Sequence, residues 1–302
     1  MRSAVVTAGT GGIGLETAVG LAEAGFRVTV VGRNPDRGAA AVERITAAAP
    51  ERPARFLAAD LSSLGEVRAL ADRIAADGPL AVLVNNVGAM FPERRDNVDG
   101  VEASFAVNHL SPYLLTELLL PSLEAGAPSR VVAVTSGAIR VAKRSFGAVE
   151  PTGGYYGFHW YGRAKLLHLA YALDLARRLD GTGISVFAAD PGGAATDMTD
   201  GTMRDPRIVT PGLRLLWPLV RRTFDRATSG SAAAAARSSI AAATDPSLDG
   251  RTGVVLGPDA RPVRPFHVAT DPRVVEAVRG FSERWAPTTA VVRRDEGVQP
   301  GV

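Results

Sequence analysis

Thr7-Ala8-Gly9-Thr10-Gly11-Gly12-Ile13-Gly14 closes a short apolar run at residues 3–7 and opens directly into a helical pattern. Glycines between a strand and a helix let the backbone turn sharply and approach a pyrophosphate, which the free amides of the helix N-terminus then hold. A glycine turn alone has purely structural uses as well. Here a strand before it, a helix after it and a place near the start of the chain supply the context that nucleotide binding requires. The same rhythm continues downstream. Further apolar runs rich in β-branched residues stand at 27–31, 54–58, 81–85, 130–135, 185–189 and 253–256, with helical stretches such as 166–179 between them. Ala81-Val82-Leu83-Val84 is apolar at every position, as in a strand buried on both faces of a parallel sheet. The alternation predicts an α/β fold: a single domain with a Rossmann-type doubly wound parallel sheet of about seven strands and helices on both faces.

Composition narrows the chemistry. The 302-residue chain has no cysteine, which excludes disulfides, thiol nucleophiles and thiolate-bound metals. Its four histidines are scattered without a His-x-x-x-His pair, so no metal site is expected. His109 and His168 read as packed or surface residues rather than catalytic ones. A net charge of +3 with no basic stripe argues against nucleic acid as a partner. No apolar stretch reaches the roughly 18 residues of a membrane span. Arg2-Ser3 runs straight into the first apolar pattern, which leads us to expect no leader peptide and a cytoplasmic location.

The second strand pattern ends in Val31-Gly32-Arg33-Asn34. An NAD site calls for Asp or Glu there, to accept a hydrogen bond from the ribose hydroxyl. No carboxylate follows until Asp36, which with Pro35 reads as the first turn of a helix. Arg33 instead stands where a guanidinium meets a 2′-phosphate, with Arg37 one turn further on. NADP(H) is therefore expected in preference to NAD(H).

The catalytic signal lies at Tyr161 and Lys165, which share a helix face at a spacing of four. A free tyrosine, with a pKa of about 10, is a poor acid–base group at neutral pH unless a neighbouring charge tunes it. The 34 basic residues include only two lysines, Lys143 and Lys165, and there are five tyrosines. A chance Tyr-x-x-x-Lys is then expected only about 0.03 times. Ser136, at the end of the fifth strand pattern, is placed to hydrogen-bond a substrate oxygen, with Thr135 as its rival.

Taken together these residues resemble the short-chain dehydrogenase/reductase family. Residues 7–14 are similar to its Thr-Gly-x-x-x-Gly-x-Gly, with Ala8 in place of the first glycine. Asp60-Leu61 resembles its adenine-binding position, and Asn85-Asn86-Val87-Gly88 its Asn-Asn-Ala-Gly. Asn108, Ser136, Tyr161 and Lys165 match its catalytic tetrad, and Pro191-Gly192 with Thr196 its nicotinamide-side loop. The matches run in order from about residue 3 to 257. The long gap from Ser136 to Tyr161 and the Phe281-x-x-x-Trp285 helix most resemble the retinol-dehydrogenase-like branch. The resemblance implies a nicotinamide-dependent oxidoreductase in which Gly9, Thr10, Gly12, Ile13, Gly14, Arg33, Asn34, Arg37, Asp60, Leu61, Asn86, Val87, Gly88, Tyr161, Lys165, Pro191, Gly192 and Thr196 hold the cofactor. It further implies that Asn108 binds a water in a proton relay to Lys165, and that copies pair as a homodimer or homotetramer through the helices of Asn108 and Tyr161. The branch also allows a monomer.

Two irregular segments, 138–159 and 197–225, follow strand ends, where open α/β sheets take ligands. Residues 197–225 read as a substrate lid within a domain of 1–257. Leu213, Leu215, Leu216, Trp217, Leu219 and Val220 are expected to form an apolar pocket wall beside Arg214, Arg221 and Arg222. Membrane-surface contact by this segment is not expected, because such helices more often pack on their own domain. Residues 258–302 form a C-terminal extension with one helix at 272–285 and a tail expected to be mobile. The expected partner is a small, bulky and largely apolar carbonyl compound or alcohol. Two alternatives share the same residues: a non-catalytic cofactor-binding scaffold or sensor, suggested by Ala8, and a redox-neutral step such as epimerisation or cyclisation.

Overall fold

The computed structural model describes residues 2–142, 149–150, 154–194 and 201–288. Its sheet has eight strands: β1 (Ser3–Thr7), β2 (Arg27–Gly32), β3 (Arg55–Ala58), β4 (Val82–Asn85), β5 (Ser129–Val134), β6 (Ile184–Ala189), β7 (Val254–Leu256) and β8 (Pro262–Val263). Their order is β3-β2-β1-β4-β5-β6-β7-β8. All neighbouring pairs are parallel except β7–β8. The expected seven strands are present within a residue or so at each end. The eighth is a two-residue antiparallel edge containing Pro262, too short to leave a periodic signal and placed where a proline costs no ladder bond.

Sheet register explains the uniformly apolar strands. Val5, Leu83, Val131 and Val186 are successive partners across four strands and belong to one buried cluster. Val6, Val84, Val132 and Phe187 form the adjacent row and belong to the cluster on the opposite face. Successive side chains point to opposite faces, so a sheet covered on both sides needs apolar residues at both parities.

Helices α1 (Gly12–Glu23) and α2 (Pro35–Ala48), with α8 (Ala232–Thr244), cover one face. The other is covered by α3 (Leu64–Ala75), a long helix α4 at 103–125, α5 (Gly157–Arg178) and α9 (Pro272–Trp285). Local chemistry starts several of them. Asn34, Ser63, Ser231 and Asp271 each accept a backbone N–H from the first turn that follows, and Pro35 and Pro272 occupy first helical positions. In α4 the turn Ala106–Leu110 is π-helical. Pro112 has no N–H to give the carbonyl four residues back, that of Asn108, which accounts for the widened turn there.

The C-terminal helix α9 is part of the core. Val274, Val278 and Phe281 are buried, and Phe281 packs on Phe105 with ring centroids 5.6 Å apart. Ser282 Oγ pairs with His109 Nε2 at 2.7 Å, and Arg279 donates to Asp174 at 3.0 Å. Two short helices, α6 (Pro211–Leu215) and α7 (Trp217–Ala227), lie after β6. Among the described residues no helix is long and apolar enough to cross a membrane.

Candidate active site

A cavity of about 880 Å³ runs along the carboxyl edge of the sheet. It starts among Thr10, Gly11, Arg33 and Arg37 near β1 and β2, and reaches Ser136, Tyr161 and α7 on the side of β5 and β6. This is the edge where doubly wound sheets bind ligands, on either side of the point where strand order reverses.

The glycine segment shapes the first half. Gly12 has φ 52°, in the left-handed region open to glycine. A Cβ on Gly14 would run into the Ala8 carbonyl oxygen and Asn86 Nδ2, so the helix can approach β1 and β4 only without one. Ala8 itself sits at φ 49°. The chain thus keeps the left-handed turn although it has a side chain there, at a cost of about 1 kcal/mol. Asn86 ties this turn to β4: its Nδ2 donates to Thr7 O at 3.1 Å, while its backbone N–H donates to Thr7 Oγ1 at 3.0 Å.

Most residues assigned to the cofactor by resemblance line this one cavity. They are Thr10, Gly12, Ile13, Gly14, Arg33, Asn34, Arg37, Asp60, Leu61, Asn86, Val87, Gly88, Pro191 and Gly192, with Tyr161 and Lys165. Gly9 stands behind the wall, where a Cβ would meet Val30 Cγ1 at 2.7 Å. Thr196 lies outside the described residues. Asn34 lines the cavity, but its side chain is spent on capping α2, accepting from Arg37 N at 3.0 Å. Arg33 is exposed and Arg37 passes over the glycine turn, its Nη2 2.5 Å from where a Gly11 Cβ would be.

The second half holds the residues matched by resemblance to the catalytic tetrad. Tyr161 on α5 is buried beside the Ser136 hydroxyl, and both line the cavity. Burial pushes its phenol above the ordinary value, the neighbouring Ser136 hydroxyl pulls it back in part, and the Asp190 carboxylate raises it again. Ser136 Oγ also accepts from Ala138 N at 3.2 Å. The rival hydroxyl, Thr135 Oγ1, is buried without a hydrogen-bond partner. Lys165 donates to Val87 O at 2.8 Å and Val134 O at 3.0 Å. Burial pulls its ammonium down to about 7. The lysine therefore faces the strand ends, and it is not among the groups that set the Tyr161 value.

Asn108 is fully buried in the π turn. Its Oδ1 accepts from Ala89 N at 3.0 Å, and its Nδ2 donates to Ala89 O at 2.7 Å and Ser104 O at 2.8 Å. The whole amide is used to hold the loop after β4 against α4. Asn108 and Lys165 flank Gly88, whose missing Cβ would lie 3.6 Å from Asn108 Oδ1 and 3.5 Å from Lys165 Nζ. No separate cluster of three His, Asp or Glu side chains is gathered among the described residues.

The segment after β6 departs from the expected wall. Trp217, Val220 and Phe224 pack inward with Ile208, Met90 and Tyr161, but none of Leu213, Leu215, Leu216 and Leu219 is buried. Leu215 is 86% exposed. In α7 the inward row recurs at spacings of three and four, which turns Leu219 outward onto the same face as Arg222 and Arg226. The ground for setting membrane contact aside, that the apolar residues are used up within the domain, therefore holds for only part of this segment.

Several lining residues carried no sequence signal. Met90, Phe91, Arg95, Arg140, Phe158, Met203 and Phe224 come from five different segments and meet only in the folded chain. Asp190, at the end of β6, also lines the cavity, and its Oδ1 accepts from Gly192 N at 3.0 Å. Its position directly before Pro191-Gly192 was the one cue available.

A model of the short chain dehydrogenase family matches residues 2–207. Retinol dehydrogenase 12 of Mus musculus is 35% identical over 228 residues, covering 75% of this chain and 70% of that protein. Polyprenol dehydrogenase of Mus musculus is 40% identical over 204 residues, 65% of this chain and 61% of its own length. Among solved structures, a putative uncharacterized protein from Mycobacterium Paratuberculosis aligns with a TM-score of 0.72 at 27% identity, covering 95% of this chain and 94% of the other. The Pseudomonas aeruginosa RhlG/NADP active-site complex aligns with a TM-score of 0.65 at 28% identity, covering 86% of this chain and 95% of the other.

Proposed function

The chain belongs to the short-chain dehydrogenase/reductase family, in its retinol-dehydrogenase-like branch, and on that premise we propose that this nicotinamide-dependent oxidoreductase is an NADP(H)-dependent carbonyl reductase, reversibly an alcohol dehydrogenase. The substrate is a bulky, largely apolar ketone, aldehyde or secondary alcohol. The observation that carries this reading is that Ser136 and Tyr161 face one cavity of about 880 Å³ whose other half is lined by the glycine turn.

When bound, the cofactor supplies or accepts the hydride. The protein supplies the rest. The glycine turn and the N-terminus of α1 favour a pyrophosphate, and Arg33 and Arg37 favour a 2′-phosphate. Ser136 holds the carbonyl oxygen by hydrogen bonding, which opposes the charge that develops there. Tyr161, neutral because burial holds its pKa high, donates its proton to that oxygen as the alcohol forms. Lys165 is positioned beside Gly88 to interact with the ribose and to return a proton to the tyrosine.

Calorimetric titration with NADPH and NADH tests the nucleotide half. Tighter NADPH binding that loses its preference in Arg33→Ala is expected; tighter NADH binding would overturn the NADP assignment. Oxidation of NADPH in the presence of a panel of apolar aldehydes and ketones tests the catalytic half. Absence of turnover across such a panel, with cofactor binding intact, would move the reading to a cofactor-binding scaffold.

A further inference from the structure

The cavity is cationic at both ends, and the nucleotide accounts for only one of them. Arg33 and Arg37 follow β2; Arg95 follows β4 and Arg140 lies in the turn Gly137–Val141 directly after Ser136. Strand order puts these last two on the far side of the β1–β4 step, with the proposed catalytic hydroxyls. Both arginines line the cavity and are exposed, and neither forms an ion pair with any described residue. Nearby arginines are paired: Arg207 with Asp205 at 2.6 Å, and Arg94 with Asp96 at 3.8 Å. The Arg95 guanidinium stands 3.8 Å from the centre of the Phe91 ring, itself a cavity wall. An aromatic face under a guanidinium leaves its edge free to present paired N–H donors.

At this end the lining carboxylate among the described residues is Asp190, against the two arginines. Among the described residues the acids lining the cavity are Asp60 and Asp190. Asp60 is engaged by Ser62 N and Oγ, both at 2.9 Å, and Asp190 by Gly192 N. Large apolar side chains, Met90, Phe91, Phe158, Met203 and Phe224, contribute much of the remaining wall. Such a lining suits a molecule with an apolar body and an anionic end, since a guanidinium fork pairs carboxylate or phosphate oxygens two at a time.

We infer that the carbonyl substrate carries an anionic group, and that Arg95 and Arg140 bind it. The inference deepens the carbonyl-reductase reading and rests on it for the identity of the reacting group. Two measurements separate them. The first compares kcat/KM for ω-oxolaurate and its methyl ester with NADPH. The acid is expected to be preferred about tenfold or more, with the preference shrinking as salt is raised and falling to about one in R95Q/R140Q. An ester used as well as the acid, or a preference unchanged in the double variant, would overturn the proposal. The second needs no turnover: binding of decanoate against decanamide to the full-length protein with NADPH, by calorimetry. Tighter binding of decanoate that is lost in R95Q/R140Q supports the anion site even if neither aldehyde is reduced, in which case only the catalytic reading fails. Equal binding of the two overturns the anion site. Circular dichroism of the double variant, expected to match the parent because both side chains are exposed, excludes misfolding as the cause.

Discussion

Tyr161 and Lys165 stand one turn apart on α5, yet burial drives them in opposite directions, the phenol above its usual value and the ammonium down to about 7. Both shifts favour the neutral form, as expected of groups removed from water without a counter-charge. On the proposed reading, Tyr161 is the proton donor and Lys165 titrates near neutrality one turn away.

Replacing Tyr161 by Phe keeps the ring in its packed position and removes only the proton. Turnover is expected to fall by about 10²- to 10⁴-fold, the range for loss of a general acid, while NADPH affinity changes little. Single-turnover kinetics together with cofactor titration checks this; retained turnover would exclude Tyr161 as the donor.

Lys165 also gives the cofactor-free protein a pH signature. Its folded pKa lies below its unfolded value, so between about pH 7 and about pH 10.5 the unfolded chain holds a proton that the folded chain has lost. Stability then rises with pH through that window. Denaturant unfolding at several pH values should show the rise, and Lys165→Met should flatten it.

His168 and His109 set the acid limb. Both are buried; His109 is pushed down to about 3 by burial, and His168 falls well below its ordinary value through burial and the charges of Lys165 and His109. Because the folded values are depressed, stability is full above about pH 6.5 and is lost as pH falls toward the folded values, by up to ~1.4 kcal/mol per pH unit for each histidine. Neither ring nitrogen of His168 has a hydrogen-bond partner. His168→Leu should therefore make acid unfolding less steep and leave the protein no less stable at neutral pH. A variant with an unchanged acid limb would show that His168 does not contribute to it.

The C-terminal helix is expected to be essential to stability. Phe281→Ala removes a buried ring packed on Phe105 and His109, at a cost of roughly 3–5 kcal/mol. The same helix occupies the outer side of α4 and α5, so a second copy using that face would have to displace it. Sedimentation is expected to give a 31.5 kDa monomer, and a dimer whose mass is unaffected by substitutions in α9 would point to another face.

Cofactor preference should depend on Arg33 more than on Arg37. Loss of a charged hydrogen-bonding group to the 2′-phosphate is expected to weaken NADPH by about 10- to 100-fold and leave NADH nearly unchanged. Competition titrations on Arg33→Ala and Arg37→Ala separate the two contributions.

The sequence by itself determined what depends on near neighbours. Strand and helix alternation, the glycine turn, the helix start at Pro35-Asp36 and the Tyr161–Lys165 spacing all arise from periodicity and turn chemistry within a few residues. Tertiary structure decided whatever joins distant segments. Sheet order brought Ser136 beside Tyr161, turned Lys165 toward the carbonyls of Val87 and Val134, and set Arg95 and Arg140 in the wall of the same cavity. It also decided that Trp217, Val220 and Phe224 face inward while Leu215 and Leu219 do not, because an apolar residue reports that it can be buried, whereas the packing partner decides which side of the helix is.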